Sequence, residues 1–285
     1  MGRERLAVRK TYKLFIGGAF PRSESGRSYV VNDAKGRFLA NASQASRKDA
    51  RDAVAAARKA FGGWSARTPY NRGQILYRVA EVLEGRREQF AAELRAAGLA
   101  KNAATAEVDE AIDRWVWYAG WADKLGAVAG SANPVAGPFF NFSTPEPTGV
   151  VAVIAPDSPL LGLVSVVAPA IVSGNTAVVV ASEPAPLTAI TLAEVLATSD
   201  LPGGVVNVLT GRRAELAPWL ASHMDVNALD LAGVAADAVK PLAEKAADNL
   251  KRVLPPGGSD WSAEPGTRRM TAFLETKTVW HPVGV

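Results

Sequence analysis

The sequence of 285 residues contains no cysteine and only two histidines. The missing cysteine excludes disulfide scaffolds, thiolate metal sites and every mechanism that uses a cysteine nucleophile in this chain. His223 and His281 lie far apart in the sequence without a ligand-spaced partner, so they offer little to a zinc site or a Ser-His-Asp relay. We therefore expect no bound metal and interpret both histidines as ordinary surface residues.

An excess of charge of one sign is also missing. Lys and Arg total 32 against 28 for Asp and Glu, which gives a formal net charge of +4. Apart from a basic start at residues 3–13 the two signs are interspersed, whereas nucleic-acid-binding domains usually show a clustered basic face. With 48% hydrophobic and 21% charged positions, the chain has ample material for a core. We expect a globular protein with no nucleic-acid partner.

The one long apolar stretch is interrupted. Residues 149–181 carry Asp157 as their only charge and exceed the ~20 residues that a bilayer-spanning helix needs. Residues that form turns or break helices cut this stretch: Pro156, Pro159, Pro169 and the pair 174–175. The pattern therefore predicts a buried strand, helix and strand, and no membrane partner. Residues 1–10 are basic without a following apolar run, so no signal peptide is visible and we expect a cytoplasmic location.

The second half of the chain alternates between strand patterns and helix patterns. Strands are predicted at 149–155, 176–181, 205–209 and 226–231, and helices at 160–172, 187–198, 214–222 and 235–253. Such an alternation predicts parallel strands joined by right-handed crossovers. We expect an α/β fold in which residues 149–254 form a Rossmann-like parallel sheet with flanking helices.

The other segments have different patterns. They are short strands and turns at 12–45, three amphipathic helices at 46–126, a proline-rich ribbon at 127–148, a Pro/Gly-rich break at 255–271 and a last segment at 272–285. The last segment contains an extended run, 273–279, which must pair with a sheet edge in its own chain or in another. We expect that edge to belong to another subunit.

Several motifs resemble the aldehyde dehydrogenase superfamily, and they occur in family order over nearly the whole chain. The longer ones are YAGWADK at 118–124, GVVAVIAP at 149–156, LPGGVVNV at 201–208 and KTVW at 277–280. Shorter matches stand at 168–170, 174–176, 182–183, 186–188 and 210–211. The resemblance implies the family's cofactor domain, with a helical part at 46–126 and a Rossmann-like nucleotide-binding part at 149–254.

The resemblance also implies extended oligomerisation strands, at 12–45, 127–148 and 272–285. The family's catalytic domain should follow Gly258, but the sequence passes after a short break to what resembles the family's C-terminal strand. Residues 255–271 then form a linker that replaces the catalytic domain. We expect the strands that mediate assembly to be kept while the catalytic domain is lost.

Family members oxidise an aldehyde to an acid with NAD or NADP, using a Cys nucleophile, an Asn that supports the oxyanion and a Glu general base. The matching positions carry none of these. The chain has no cysteine, the family's PWNFP becomes Pro-Asp-Ser-Pro at 156–159, and the general-base position falls on the proline pair 255–256. We therefore expect no catalytic residues and no dehydrogenase activity.

The resemblance implies a cofactor site that is eroded as well. In the family, the Lys and Glu of a KPSE motif hold the adenosine ribose; here the first two positions, 180–181, are apolar, and Ser182 and Glu183 remain. The family's FTGS turn meets the pyrophosphate at a helix N-terminus, and its counterpart at 231–234 keeps only Gly233. The remnants of the cofactor site are thus Glu183, Ser182, Pro156 and Gly233. We expect no bound cofactor, with NAD or NADP possible at low affinity.

Three functions remain open at this point. The leading hypothesis is a non-catalytic subunit that assembles with a full-length NAD(P)-dependent aldehyde dehydrogenase, or with itself, and stabilises or regulates the complex. The second is a degenerate module that binds or senses a nicotinamide nucleotide through Glu183 and neighbouring backbone amides. The third is a residual aldehyde oxidoreductase with relocated chemistry.

Overall fold

A computed structural model describes residues 10–258 and 260–284. Most of the basic start, residues 3–9, therefore lies outside the described residues. The described chain begins with an antiparallel hairpin of β1 (Ser28–Asn32) and β2 (Phe38–Ser43). The first part of the segment 12–45, where short strands were expected, forms isolated bridges, one of which joins Phe15 to Val208. The hairpin packs on its own chain through buried side chains such as Val31 and Ala42, and its role in assembly stays a prediction.

A layer of helices follows the hairpin. It consists of α1 (Arg47–Ser65), α2 (Pro69–Glu84), α3 (Arg87–Ala96), α4 (Lys101–Trp121) and the short α5 (Leu125–Ala129). Ser46 begins α1 with a capping box, because its hydroxyl accepts from the backbone of Asp49 and the Asp49 carboxylate accepts from the Ser46 backbone. Helix α3 was not predicted from the sequence. This helix is short and has no side-chain cap at its start.

The chain then forms two strands of a small sheet and enters the Rossmann-like unit. The elements are β3 (Ser131–Asn133), β4 (Phe139–Pro147), β5 (Val150–Ile154), α6 (Leu161–Val172), β6 (Thr176–Val180), α7 (Leu187–Ala197), β7 (Val206–Leu209), α8 (Arg213–Ser222), β8 (Ala228–Asp230), α9 (Ala236–Ala246) and β9 (Arg252–Leu254).

The five strands from β5 to β9 pair in parallel in the order β7-β6-β5-β8-β9. This confirms the α/β fold with a Rossmann-like parallel sheet. The connections move outward from β5 to one side and then to the other, so the switch in strand order lies at β5 and β8. Ligands of such sheets bind outside the carboxyl ends of the strands at the switch point.

The end of the sheet differs from the prediction. One helix was predicted over 235–253, but α9 ends at Ala246 and residues 252–254 form the fifth strand. A short 3₁₀ turn follows α9, and Leu250 reverses the chain with a left-handed φ of 55°. A three-residue strand is too short to show its own periodicity, which explains the error.

The core lies between the sheet and the helices on its two faces. All twelve residues of α6 are buried, as are the five residues each of β5 and β6, which explains the long apolar stretch in the sequence. Over the described ranges, no helix is long and apolar enough to cross a membrane.

The chain ends with a short helix and a long strand, α10 (Arg268–Ala272) and β10 (Leu274–Pro282). The extended run expected at 273–279 is therefore a strand. Its partner differs from the expectation, because β10 pairs antiparallel with β4 of its own chain over nine residues, from Leu274 opposite Pro147 to Pro282 opposite Phe139. The result is a three-stranded sheet in the order β10-β4-β3.

Candidate functional site

The four expected cofactor-site residues follow the carboxyl ends of three strands of the parallel sheet. Pro156 follows β5, Ser182 and Glu183 follow β6, and Gly233 follows β8. Hydrogen bonds among these loops and the start of α8 hold them together. The structure thus brings the expected residues to the edge of the sheet where ligands of this fold bind.

An apolar cleft opens beside these loops, between α8 and α9. Its volume is about 370 Å³. The lining is mostly aliphatic: Ile154, Ala217, Pro218, Val234, Pro241 and Leu242, with Arg213 and Gly233 also in the wall. A cleft of this size and polarity can accept a flat or aliphatic group of a small molecule.

Glu183 is already engaged by the chain. Arg212 donates to Oε1 of Glu183 in an ion pair, and the backbone N–H of Arg213 donates to Oε2 at 3.2 Å. Because Arg213 is the first residue of α8, the carboxylate also lies at the positive end of a helix dipole. This bond to Glu183 raises the pKa of Arg212. Both oxygens of Glu183 therefore have partners within the protein.

Ser182 is also engaged, through Asp157. Its hydroxyl donates to Oδ1 of Asp157 at 2.9 Å and accepts from the backbone N–H of Ala185 at 3.3 Å. Arg213 donates through Nη2 to the same Asp157 oxygen at 2.6 Å and to the carbonyl of Ala155 at 2.8 Å. The Arg213 side chain thus bridges the ends of β5 and α8, beside the apolar cleft.

Gly233 has a packing reason to be glycine. Its N–H donates to the carbonyl of Ile154 at 2.8 Å, and a Cβ built on it would stand 1.9 Å from the carbonyl oxygen of Ala155. A side chain of any size would therefore push the turn away from β5. The presence of glycine at this position is explained without a ligand.

Pro156 lies at the start of the loop that leads into α6. The first backbone N–H groups of a helix have no acceptor within the helix and in other proteins can bind anions. At the start of α6, side chains of this chain accept from such N–H groups. Glu107 of α4 accepts from the N–H groups of Leu160 at 3.1 Å and Leu161 at 3.2 Å, and the Ser158 hydroxyl accepts from Gly162 at 2.9 Å. A carboxylate from the protein thus occupies the position that an anionic ligand would need.

Two arginines fix the described part of residues 255–271 to the rest of the chain, one through α4 and the other through the end of β8. Arg114 of α4 donates to the carbonyls of Trp261 at 2.9 Å and Ala263 at 3.1 Å. Arg269 of α10 forms an ion pair with Asp230, at the carboxyl end of β8. Burial raises the pKa of Asp230, and the Arg269 charge opposes that rise. This segment is thus bonded to the domain and is not a free linker.

The loops of the candidate site were predicted from the sequence, but the side chains that bond to them, those of Arg212, Arg213 and Glu107, were not. Arg212 and Arg213 stand where a helix begins, and cations are unfavourable at the positive end of a helix dipole. That mismatch is a signal that both side chains have carboxylate partners nearby. The sequence around Glu107 gives no such signal. Glu107 accepts from backbone N–H groups at the start of α6 only because α4 packs against α6.

The polar groups present do not fit a dinucleotide cofactor. The Glu183 carboxylate, the Ser182 hydroxyl and the amides before α6 all bond within the chain, whereas the apolar cleft beside them is open to a ligand. Among residues 10–258 and 260–284, no group of three or more His, Asp or Glu side chains is placed to hold a metal ion. The site supports binding of an apolar group better than binding of ribose or phosphate.

The parallel sheet and its flanking helices define a protein of the nucleotide-binding α/β class. Residues 20–260 match the family model described as "Aldehyde dehydrogenase family". The chain therefore belongs to the aldehyde dehydrogenase family, which confirms the resemblance seen in the sequence.

Curated relatives and solved structures agree with this assignment. The chain is 34% identical to "Aldehyde dehydrogenase, cytosolic 1" of Elephantulus edwardii over 249 residues, covering 85% of this chain and 49% of the relative. The crystal structure of PnpE in complex with nicotinamide adenine dinucleotide matches with a TM-score of 0.83 and 31% identity, covering 87% of this chain and 51% of that chain. HpcC from Thermus thermophilus matches with a TM-score of 0.82, 32% identity and coverages of 87% and 48%. The chain spans about half the length of the relatives it matches.

Proposed function

We propose that this chain is a non-catalytic member of the aldehyde dehydrogenase family that assembles with a full-length NAD(P)-dependent aldehyde dehydrogenase and stabilises or regulates it. The observation that carries the proposal is the internal engagement of the cofactor-site remnants. Arg212 pairs with Glu183, Arg213 and Ser182 bond to Asp157, and Glu107 caps α6. A ligand with phosphate groups would compete with Glu107 for the backbone N–H groups before α6.

The residues of this chain also offer no replacement for the missing catalytic groups. The chain has no cysteine for a thiohemiacetal. The loop before α6 carries Asp157, whose negative charge opposes an oxyanion where the family has an amide donor. The general-base position falls on the prolines at 255–256. Each of the three roles is therefore unfilled, and we expect no dehydrogenase activity.

The assembly part of the proposal rests on the small sheet. Aromatic pairs lie on both faces of this sheet. Exposed Phe139 and Trp280 have ring centroids 5.7 Å apart, and on the opposite face exposed Phe140 lies 5.4 Å from the half-buried Phe142. Aromatic residues are enriched in the cores of protein interfaces, so exposed aromatic pairs on this sheet favour a role in assembly. The expected cytoplasmic location is part of the same proposal.

The test is to purify the tagged chain from its source and identify bound proteins by mass spectrometry. We expect a full-length aldehyde dehydrogenase as the dominant partner, and we expect Phe140→Ser to reduce its recovery. Tyr77→Ser on α2 is the matched control, because Tyr77 and Phe140 are both 51% exposed. Recovery of no aldehyde dehydrogenase, or equal loss with both variants, contradicts the proposal.

A second function is favoured by one observation, the apolar cleft of about 370 Å³ between α8 and α9. A module that binds a nicotinamide nucleotide would use this cleft together with Glu183. Titration calorimetry with NAD and NADP separates the two functions. If the chain is a non-catalytic subunit, we expect a Kd for NAD or NADP no lower than about 1 mM, or a binding free energy of about −4 kcal/mol. Tight binding that Glu183→Ala weakens supports the binding module, and tight binding that Glu183→Ala leaves unchanged shows that the site was placed wrongly.

A further inference from the structure

A small cavity lies between the segment 255–271 and the helices α4 and α6. Its volume is about 200 Å³. Much of its wall comes from residues after 260, beyond the part of the chain that matches the family model. The wall combines apolar side chains with arginines: Leu254, Trp261, Pro265, Arg114, Arg268 and Arg269. The cavity is therefore a feature of this chain's own C-terminal segment.

Arg114 is a buried cation at this cavity without a counter-ion. The residue is 8% exposed. Among residues 10–258 and 260–284 it forms no ion pair, and its hydrogen bonds go to neutral oxygens, those of Ser165, Trp261 and Ala263. These bonds do not use all the N–H donors of a guanidinium group. Because a buried charge without a partner of opposite sign is costly, Arg114 favours an anion in the cavity that it lines.

Tyr118 offers a second donor to the same space. It lines the cavity and is 2% exposed, and its hydroxyl has no hydrogen-bond partner within the described part of the chain. Burial raises the pKa of Tyr118 to about 12, and the nearby charges of Arg114 and Arg269 oppose that rise. The hydroxyl therefore keeps its proton at neutral pH and can donate it to an anion beside Arg114.

The other charged groups around the cavity do not neutralise Arg114. Arg269 is paired with Asp230. Asp260 and Glu264 also line the cavity, but both are exposed, so solvent and salt screen their charges. Hydrogen bonds within its own turn, and no arginine, lower the pKa of Asp260. The buried groups thus leave one positive charge uncompensated.

We propose that this cavity binds a small aliphatic carboxylate, held by Arg114 and the Tyr118 hydroxyl, with its carbon chain against Leu254 and Trp261. A guanidinium group binds the planar carboxylate in a fixed geometry, and the phenol adds one donor. The volume limits the ligand to a few carbon atoms. An inorganic phosphate could bond to the same donors but would leave the apolar part of the wall without a partner.

The test is titration calorimetry of the purified full chain with propionate. We expect saturable binding with a Kd of about 1 mM or lower. Tyr118→Phe should weaken it by about tenfold, the effect of one hydrogen bond to a charged group. This substitution removes no bond within the described part of the chain, so the fold should be kept. Arg114→Gln should abolish binding but also removes the bonds to Trp261 and Ala263, so Tyr118→Phe is the decisive variant.

Tyr29→Phe is the matched control. The Tyr29 hydroxyl is also buried without a hydrogen bond among the described residues, but Tyr29 lines a different cavity. We expect this variant to bind propionate as the wild type does. Equal affinities of the wild type and Tyr118→Phe, or equal losses in the two tyrosine variants, overturn the proposal.

Two further ligands test the chemistry of the site. Propionamide has the shape of propionate without its charge, and phosphate has charge without a carbon chain. We expect both to bind at least about tenfold more weakly than propionate. No saturable binding of propionate, or binding of either other ligand as tight as that of propionate, overturns the proposal. The inference does not depend on the proposed function, because recovery of a partner protein is a separate measurement.

Discussion

Arg213 binds Asp157 and the end of β5 at the same time, with Nη2 at 2.6 Å from Oδ1 of Asp157 and 2.8 Å from the carbonyl oxygen of Ala155. The Arg213 side chain is only 19% exposed, whereas that of its neighbour Arg212, which pairs with Glu183, is 50% exposed. Arg213 is therefore packed against the carboxyl edge of the sheet, whereas the Arg212 side chain is half exposed to solvent. The two residues should differ in their contributions to stability.

We expect Arg213→Ala to lower the free energy of unfolding by about 1.5–3 kcal/mol, since it removes charge-assisted bonds in a partly buried position. Arg212→Ala serves as the matched variant and should cost less than about 1 kcal/mol, because exposed ion pairs contribute little. Urea denaturation of both variants measures the difference. Equal effects of the two substitutions would contradict the role given to Arg213.

The secondary structure could be predicted from the sequence where long runs of consecutive residues are buried. The strands β5 and β6 and the helix between them were predicted because every residue in them is apolar or small and buried. The strand β9 was missed, since three residues cannot show a periodicity, and the short helix α3, of ten residues, was missed as well. Local pattern was sufficient for long buried elements and insufficient for short ones.

For the candidate site, too, some features could be predicted from the sequence and others could not. Ser182 and Glu183 could be placed on a loop at the sheet edge from the strand that precedes them. The hydrogen-bond partners of these residues could not be predicted. Arg212 is 29 residues from Glu183 in the sequence, and the two meet only because β6 and α8 are side by side in the fold. Glu107 is 53 residues from Leu160, whose N–H it accepts. Pairing over such separations is a property of the tertiary structure.

Gly233 provides a test of whether a retained motif residue serves packing. We expect Gly233→Ala to destabilise the protein by about 2–4 kcal/mol, because the new Cβ would overlap the carbonyl of Ala155. Gly120→Ala is the control: no neighbouring atom lies within 4 Å of the place that a Cβ would take on Gly120 in α4. This substitution should stabilise the helix by about 0.5–1 kcal/mol. Thermal unfolding measures both. A harmless Gly233→Ala would contradict the packing explanation.

The partly buried carboxyl group of Glu93 should make the free energy of unfolding depend on pH. Burial raises the pKa of Glu93 above its usual 4.5, and the bond from Thr191, which is 2.8 Å long, opposes that rise only in part. The other carboxylate oxygen is buried without a hydrogen bond. The folded protein therefore binds a proton more readily than the unfolded chain. Its free energy of unfolding should fall as the pH rises through the window from 4.5 to the higher folded pKa.

The comparison is between the wild type and Glu93→Gln, which cannot ionise. From about pH 4 to about pH 7 the wild type should lose stability relative to Glu93→Gln. Glu88→Gln, at an exposed position on the same helix, should follow the wild type. Urea midpoints at the two pH values measure the effect. A stability difference between the wild type and Glu93→Gln that does not change with pH would show that the carboxyl group is not perturbed by burial.

The most direct test of the central claim is an assay of the purified chain with aldehydes and either NAD or NADP, followed by the absorbance of the reduced cofactor. Loss of one oxyanion donor alone lowers turnover by about 10²–10³, and here the nucleophile and the general base are missing as well. We predict no reduced cofactor above the level of a heat-denatured sample. Turnover above that level that is abolished by substituting a residue of this chain would contradict the account.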